Sequence, residues 1–239
     1  MARYITTLLC SLLFCHSGIA QESYVATYKL VVGRLTVGKM VRSFSMQPDR
    51  TYRFESNLYS TGLASLIRKD ELFETSSGIF QQAKFYPSIY THVRKNKKKP
   101  LNVRMHFDRN NGHVETVSNG VKSLSPLYED MLDKLIYQVA MMHDLSIGKT
   151  ELNYKIIDRG KEKSYEPILG GETVIKTELG RFTAREVIRR STGDKRQTIF
   201  WCAPEFAYLP IKVSHRGKNG NETVALLTDY RRIDKPEPH

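Results

Sequence analysis

Cys202 and His215 supply a thiol and an imidazole thirteen positions apart, within the stretch FWCAPEFAYLPIKVSH at residues 200–215. A cysteine nucleophile needs a base within hydrogen-bond reach and a setting that favours its thiolate. The residues around this pair argue for something else. Phe200 and Cys202 alternate with Ile199 and Trp201, APEF turns the chain, and Leu209, Ile211 and Val213 alternate again toward His215. That pattern is two strands joined by a turn, with the thiol packed as a small hydrophobe in an aromatic strand.

His92, His106, His113, His143 and His239 are scattered, and no two have the spacing of a zinc motif. His143 precedes Asp144, but neighbours on a helix diverge, so the histidine is expected near a helix end where the dipole favours its charge. DELFE at 70–74 places Asp70 and Glu74 on one strand face and Glu71 on the other. These acids are expected to face water and balance Arg68 and Lys69. A serine-hydrolase elbow, a phosphate loop and a dinucleotide glycine pattern are absent. No catalytic, metal-binding or cofactor-binding residue is therefore assigned, and no cofactor is expected. The densest charge is RKNKKKP at 94–100. Arg94, Lys95, Lys97, Lys98 and Lys99 fit either a solvated loop tip or a contact with an anionic membrane surface, where each contributes about 1 kcal/mol.

The N-terminus sets the expected address. Arg3 precedes an apolar run over Ile5 to Cys15, and HSGIA puts Gly18 and Ala20 at small-residue positions ahead of Gln21. This is the layout of a secretory signal peptide over residues 1–20, cut between Ala20 and Gln21, and its apolar run is too short to span a bilayer. Cys10 and Cys15 leave with it, so Cys202 has no partner for an internal disulfide in an oxidising compartment. No transmembrane segment is expected in the mature chain. The formal net charge is +12. At an exported address the anions it favours are lipid headgroups, lipopolysaccharide or cell-wall polymers, and nucleic acid is not an expected partner.

The elements that position these residues read mainly as β. Tyr24, Ala26, Tyr28, Leu30 and Val32 share one strand face; Met40, Phe44 and Met46 share another, interrupted by Arg42; Tyr52, Phe54 and Leu58 follow. Leu152, Tyr154 and Ile156, then Phe182, Ala184 and Ile188, then Val224, Leu226 and Tyr230, continue the rhythm. Turn signals at GKEK, GG, TGDK and RGKNGNE separate the runs. About a dozen strands in a large curved antiparallel meander, like half a barrel, are expected, because strand twist makes a long sheet curl or close. One segment breaks the period. Over residues 125–149 apolar side chains recur every three or four, with Glu129, Asp130, Asp133, Lys134 and Gln138 toward water. The spacing predicts one long amphipathic helix of about four to five turns against the concave face, and TGLASLIRK at 61–69 a second short helix. Residues 21–239 read as a single β-rich domain, with the best place for a seam near 148–150.

Three stretches, STGLASLIRKDELFE (60–74), DMLDKLIYQVAMMHDLSIGK (130–149) and IFWCAPEFAYLPIKV (199–213), resemble the bacterial domain-of-unknown-function family numbered 3108. Trp201, Ala203, Pro204, Tyr208, Leu209 and Pro210 carry its last motif, and Asp133 or Asp130 the helix start. The resemblance implies an exported envelope protein of a Gram-negative bacterium, located in the periplasm, and brings no catalytic residues. The expected function is non-enzymatic, holding a lipid or other envelope amphiphile. The alternatives are a hydrolase acting on an envelope polymer, and an adaptor that binds another envelope protein along a strand edge.

Overall fold

The computed structural model describes residues 22–61, 71–96, 100–190 and 196–233. Strands form where the period-two alternation runs: β1 (Tyr24–Val32), β2 (Leu35–Met46), β3 (Thr51–Ser60), β4 (Glu71–Gln81), β5 (Lys84–Lys95), β6 (Leu101–Asp108), β7 (His113–Ser118) and β8 (Val121–Pro126). A two-residue strand β9 (Leu132–Asp133) leads into the helix α1 (Tyr137–Ser146), and β10 (Tyr154–Asp158) and β11 (Lys161–Tyr165) form a hairpin. Then come β12 (Ile168–Thr177), β13 (Gly180–Arg190), β14 (Gln197–Ala203), β15 (Leu209–Arg216) and β16 (Glu222–Arg232), with a 3-10 turn at Pro204–Phe206.

Thirteen strands make one antiparallel sheet in the order β12-β13-β14-β15-β16-β1-β2-β3-β4-β5-β6-β7-β8, while β11, β10 and β9 make a second, small one. The large sheet is two meanders joined where β16 pairs with β1, so strands from both sides of residues 148–150 share it. It does not close: β12 and β8 are its edges. One face is packed with rings. Phe44 lies 5.9 Å from Tyr24, 6.4 Å from Tyr52 and 6.0 Å from Phe54, centroid to centroid, and all four are buried. Each such side chain contributes about 1.5–3 kcal/mol through removal from water.

Alternation names the packed face of most strands, and bulges correct it in others. In β16 the alternation groups Val224, Leu226 and Tyr230 on one face, but Ala225 and Leu227 are the buried residues, while Tyr230 stacks on the buried Tyr24 ring. Tyr28 pairs with Leu227 and Ala26 with Tyr230, across a register shift at Thr27/Tyr28. One extra residue there exchanges the two faces.

The helix is shorter than its apolar spacing predicted. It spans ten residues, starting at Tyr137 rather than near Pro126. Leu132 and Asp133 extend instead and pair in parallel with Ile156 and Ile157 of β10, so their backbone groups are committed to a strand. Asp133 is buried, not toward water, and its Oδ1 accepts the N–H groups of Leu135 and Ile136 at 2.8 and 2.9 Å. No residue of α1 is fully exposed, which makes it a core helix. It packs on the ring-bearing face: Tyr24 donates to Met142 Sδ at 3.9 Å, and His143 stands edge-on to Phe80 at 5.3 Å. His143 lies in the last turn of α1, as expected, but it is buried there, and burial lowers its pKa. The expected short helix at 61–69 falls almost wholly outside the described residues, as do residues 1–20 and Lys97, Lys98 and Lys99. Among the described residues no helix is long and apolar enough to cross a membrane.

Candidate functional site

Three adjacent strands put Arg189, Thr198 and His215 in one row, because β13 pairs Arg189 with Thr198 and β15 pairs His215 with Thr198. Arg189 Nη2 donates to Thr198 Oγ1 at 3.0 Å, and the hydroxyl lies 3.0 Å from His215 Nδ1. The hydroxyl thus bridges the guanidinium and the imidazole. Burial and the charges of Arg189 and Arg196 lower the His215 pKa. The Arg189 guanidinium is stacked 4.4 Å from the centre of the Tyr165 ring and 5.7 Å from that of Tyr137. Strand β11 faces this row with Lys163, Ser164 and Tyr165, and Arg190, Arg196 and Gln197 complete a cleft of about 370 Å³. No aspartate or glutamate belongs to its described lining. Asp158 engages Lys163 at 2.5 Å from beyond the lining, and Glu166 accepts from Ser164 at 3.2 Å.

Alternate strands of an antiparallel sheet run the same way, so β13, β15, β3 and β5 all end at one end of the sheet. Arg190, Arg216 and Lys95 are the last residues of their strands. The cleft and the start of the lysine-rich run consequently lie at the same end. There Arg94 is half-buried and Lys95 exposed, its ammonium 5.1 Å from the centre of the Phe73 ring.

A second polar group is interior. Register aligns Arg42, Ser56, Glu74 and His92 across β2 to β5. Glu74 Oε1 accepts from Tyr90 at 2.6 Å and Lys134 at 2.7 Å and lies 3.2 Å from His92 Nδ1. Burial alone would raise its pKa, but the hydrogen bond with His92 and the charge and hydrogen bond of Lys134 hold the carboxyl well below the usual range. Asp133 Oδ2 accepts from Ser76 at 2.6 Å. Burial pushes its pKa up to about 6, against hydrogen bonds from Ser76, Ile136 and Leu135. These acids were expected to face water. They instead tie the segment before α1 to β4 and β5, and a carboxylate held ionised by three donors is a strut rather than a proton carrier.

Cys202 and His215 are not brought together. Thr198 is the register partner of His215, four residues, or about 13 Å, along β14 from Cys202. Cys202 is fully buried, and burial pushes its thiol well above the ordinary value, which removes the thiolate that nucleophilic attack needs. Ala20, Gln21, Lys97, Lys98 and Lys99 lie outside the described residues. Among the described residues no group of three or more histidine, cysteine or acidic side chains is placed to hold a metal ion. Sequence reading missed the cleft because Lys163, Arg189, Arg190 and Arg196 come from separate segments with no common spacing. The legible sign of the interior group was Arg42, a charge in an otherwise apolar row.

The fold has a solved counterpart. The crystal structure of a beta-barrel-like protein of domain of unknown function DUF1849 from Brucella abortus superposes with a TM-score of 0.60 at 10% identity, over 91% of this chain and 100% of that one. Among curated proteins there is no match. The family model described as protein of unknown function (DUF3108) matches residues 23–228. That span holds all the strands from β1 to β15 and most of β16, so the chain belongs to the DUF3108 family.

Proposed function

We propose that this is a non-enzymatic protein of the bacterial envelope, exported by residues 1–20, that binds the anionic headgroup of an amphiphile at the mouth of a curled sheet. The curl is supported by α1. Tyr137 and His143 lie about 9 Å apart along it, yet they contact Arg189 on β13 and Phe80 on β4. Seven strand spacings separate those strands, about 34 Å in a flat sheet. A sheet that reaches one short helix from both strands wraps around it, with α1 on the concave side. Rings and helix then occupy the space an acyl chain would take, which leaves the headgroup as the part that is held.

The observation that carries this reading is the convergence of Lys163, Arg189, Arg190, Arg196 and His215 on one cleft with no acid in its described lining. Arg94 and Lys95 at the end of β5, with Lys97, Lys98 and Lys99 next in the sequence, add positive charge, in the manner of a basic surface facing anionic lipid. Co-sedimentation of the mature protein with vesicles tests it. Binding to vesicles of phosphatidylcholine with one-third anionic lipid, absent for phosphatidylcholine alone and weakened by Arg190→Gln with Arg196→Gln, is the expected result. Equal binding to both vesicle types, or to neither, would overturn it.

A further inference from the structure

We infer that a cavity at the opposite end of the sheet from the Arg189 cleft binds a small zwitterion with an apolar side chain, an α-amino acid of leucine size. This site goes beyond the anion reading and does not depend on it. The cavity, of about 190 Å³, lies where the start of β5, the approach to α1, the later part of α1 and the start of β10 meet. Strand β5 ends at the end of the sheet that holds the Arg189 cleft, so its first residues stand at the other. The floor is apolar and uncharged. Phe85, Leu132 and Tyr154 are buried, and Ala140, with a single methyl, is half-buried. His143 is buried beside them, and neither of its ring nitrogens has a hydrogen-bond partner. Burial lowers its pKa, so the ring enters the floor without charge at neutral pH. A charged group placed on this floor would lose its hydration and gain no partner, whereas an apolar side chain is removed from water there.

The rim is polar and balanced in charge. Lys84, Asp130 and Lys149 are exposed and Asp144 is half-buried, which sets two ammonium groups beside two carboxylates. Lys149 Nζ lies 2.7 Å from Asp144 Oδ1, and Asp144 Oδ2 accepts from Tyr154 at 3.0 Å. Asp130 pairs with Lys155 at 3.3 Å, with both side chains about half exposed. Exposed pairs of this kind hold little net free energy, so their members exchange partners readily. A lone anion or cation at such a rim is attracted by one pair of groups and repelled by the other. A zwitterion meets both, its carboxylate on the lysines and its ammonium on the aspartates, while its side chain points to the floor. The volume equals that of about six waters at ~30 Å³ each. That is room for a branched aliphatic side chain and not for a long acyl chain.

Calorimetric titration of the mature protein with leucine, glycine, isoamylamine and isocaproate separates the parts of this claim. Glycine lacks the side chain, isoamylamine the carboxylate and isocaproate the ammonium. Loss of one charged hydrogen bond, or of one buried aliphatic side chain, corresponds to about tenfold or more, so leucine should bind at least about tenfold more tightly than each of the other three. Ala140→Leu fills the floor and should abolish leucine binding. Lys84→Gln with Asp130→Asn, both at exposed positions, should weaken it about tenfold or more, and keeps the test open if the Ala140 variant does not fold. No binding of leucine would overturn the site. Glycine binding as tightly as leucine would overturn the apolar floor, and isoamylamine or isocaproate binding as tightly would overturn the zwitterion. Leucine binding unchanged in either folded variant would overturn its assignment to this cavity.

Discussion

Replacing Lys134 by alanine leaves Glu74 buried with Tyr90 and His92 and without its lysine. Breaking one side of a buried ion pair costs about 3–5 kcal/mol. The side chains here are 25% and 14% exposed, so water screens part of the interaction and about 1–3 kcal/mol is expected. Lys155→Ala is the control: its pair with Asp130 spans 3.3 Å with both side chains about half exposed, and it should cost no more than about 0.5 kcal/mol. Trp201, the single tryptophan, reports unfolding. A loss of 2 kcal/mol moves a urea midpoint by about 1 M at a slope of ~2 kcal/mol/M. The pH dependence follows from Glu74. Its folded pKa lies below the unfolded value, so the stability it contributes is present above about pH 4.5 and is lost as pH falls through the folded pKa. The gap between wild type and Lys134→Ala should be largest at neutral pH and shrink in acid. Additive effects of Lys134→Ala and Glu74→Gln, or equal midpoints for Lys134→Ala and Lys155→Ala, would refute the strut.

Leu135→Ala should lower stability by about 2–5 kcal/mol, since Leu135 is 2% exposed between the Asp133 tie and α1; a midpoint like that of wild type would remove it from the core. Asp133→Asn tests the other buried acid by chemical unfolding between pH 4 and 8. The folded pKa of about 6 lies above the ordinary 3.8, so the ionised form costs stability that is absent below about pH 4 and complete above about pH 6. The variant should gain on wild type across that window by at most about 3 kcal/mol, and a pH-independent difference would contradict it. N-terminal sequencing of the exported protein should find Gln21 first; Met1 would withdraw the export reading.

Period-two alternation made most strands legible because a strand with one packed face repeats every two residues, as Tyr24, Ala26 and Tyr28 do. It failed in β16, where a bulge fixed by pairing with β1 moved Ala225 and Leu227 to the core. The helical spacing over residues 125–149 also overreached. Leu132 and Ile136 are both buried and four apart, yet one lies in a strand and the other at the helix entry, because burial on all sides leaves no polar stripe to mark where helix begins. Asp133 and Lys134 read as solvent-facing charges, and only the cross-strand partners Ser76 and Glu74, more than fifty residues earlier, make them interior. The cleft was illegible for a similar reason. His215 was weighed as a partner for Cys202 on the same hairpin, whereas its neighbours Arg189 and Lys163 arrive through the register of β13 and the hairpin of β10 and β11.

Anion occupancy of the cleft is read most directly at the His215 ring, by following its NMR titration with and without saturating pyrophosphate. In the free protein the imidazole should titrate below 6.5, because burial and the charges of Arg189 and Arg196 disfavour its protonation. A bound dianion favours the imidazolium, so the midpoint should rise on addition of pyrophosphate. A His215 midpoint unmoved by pyrophosphate, acetate and anionic vesicles alike would contradict an anion site in this cleft.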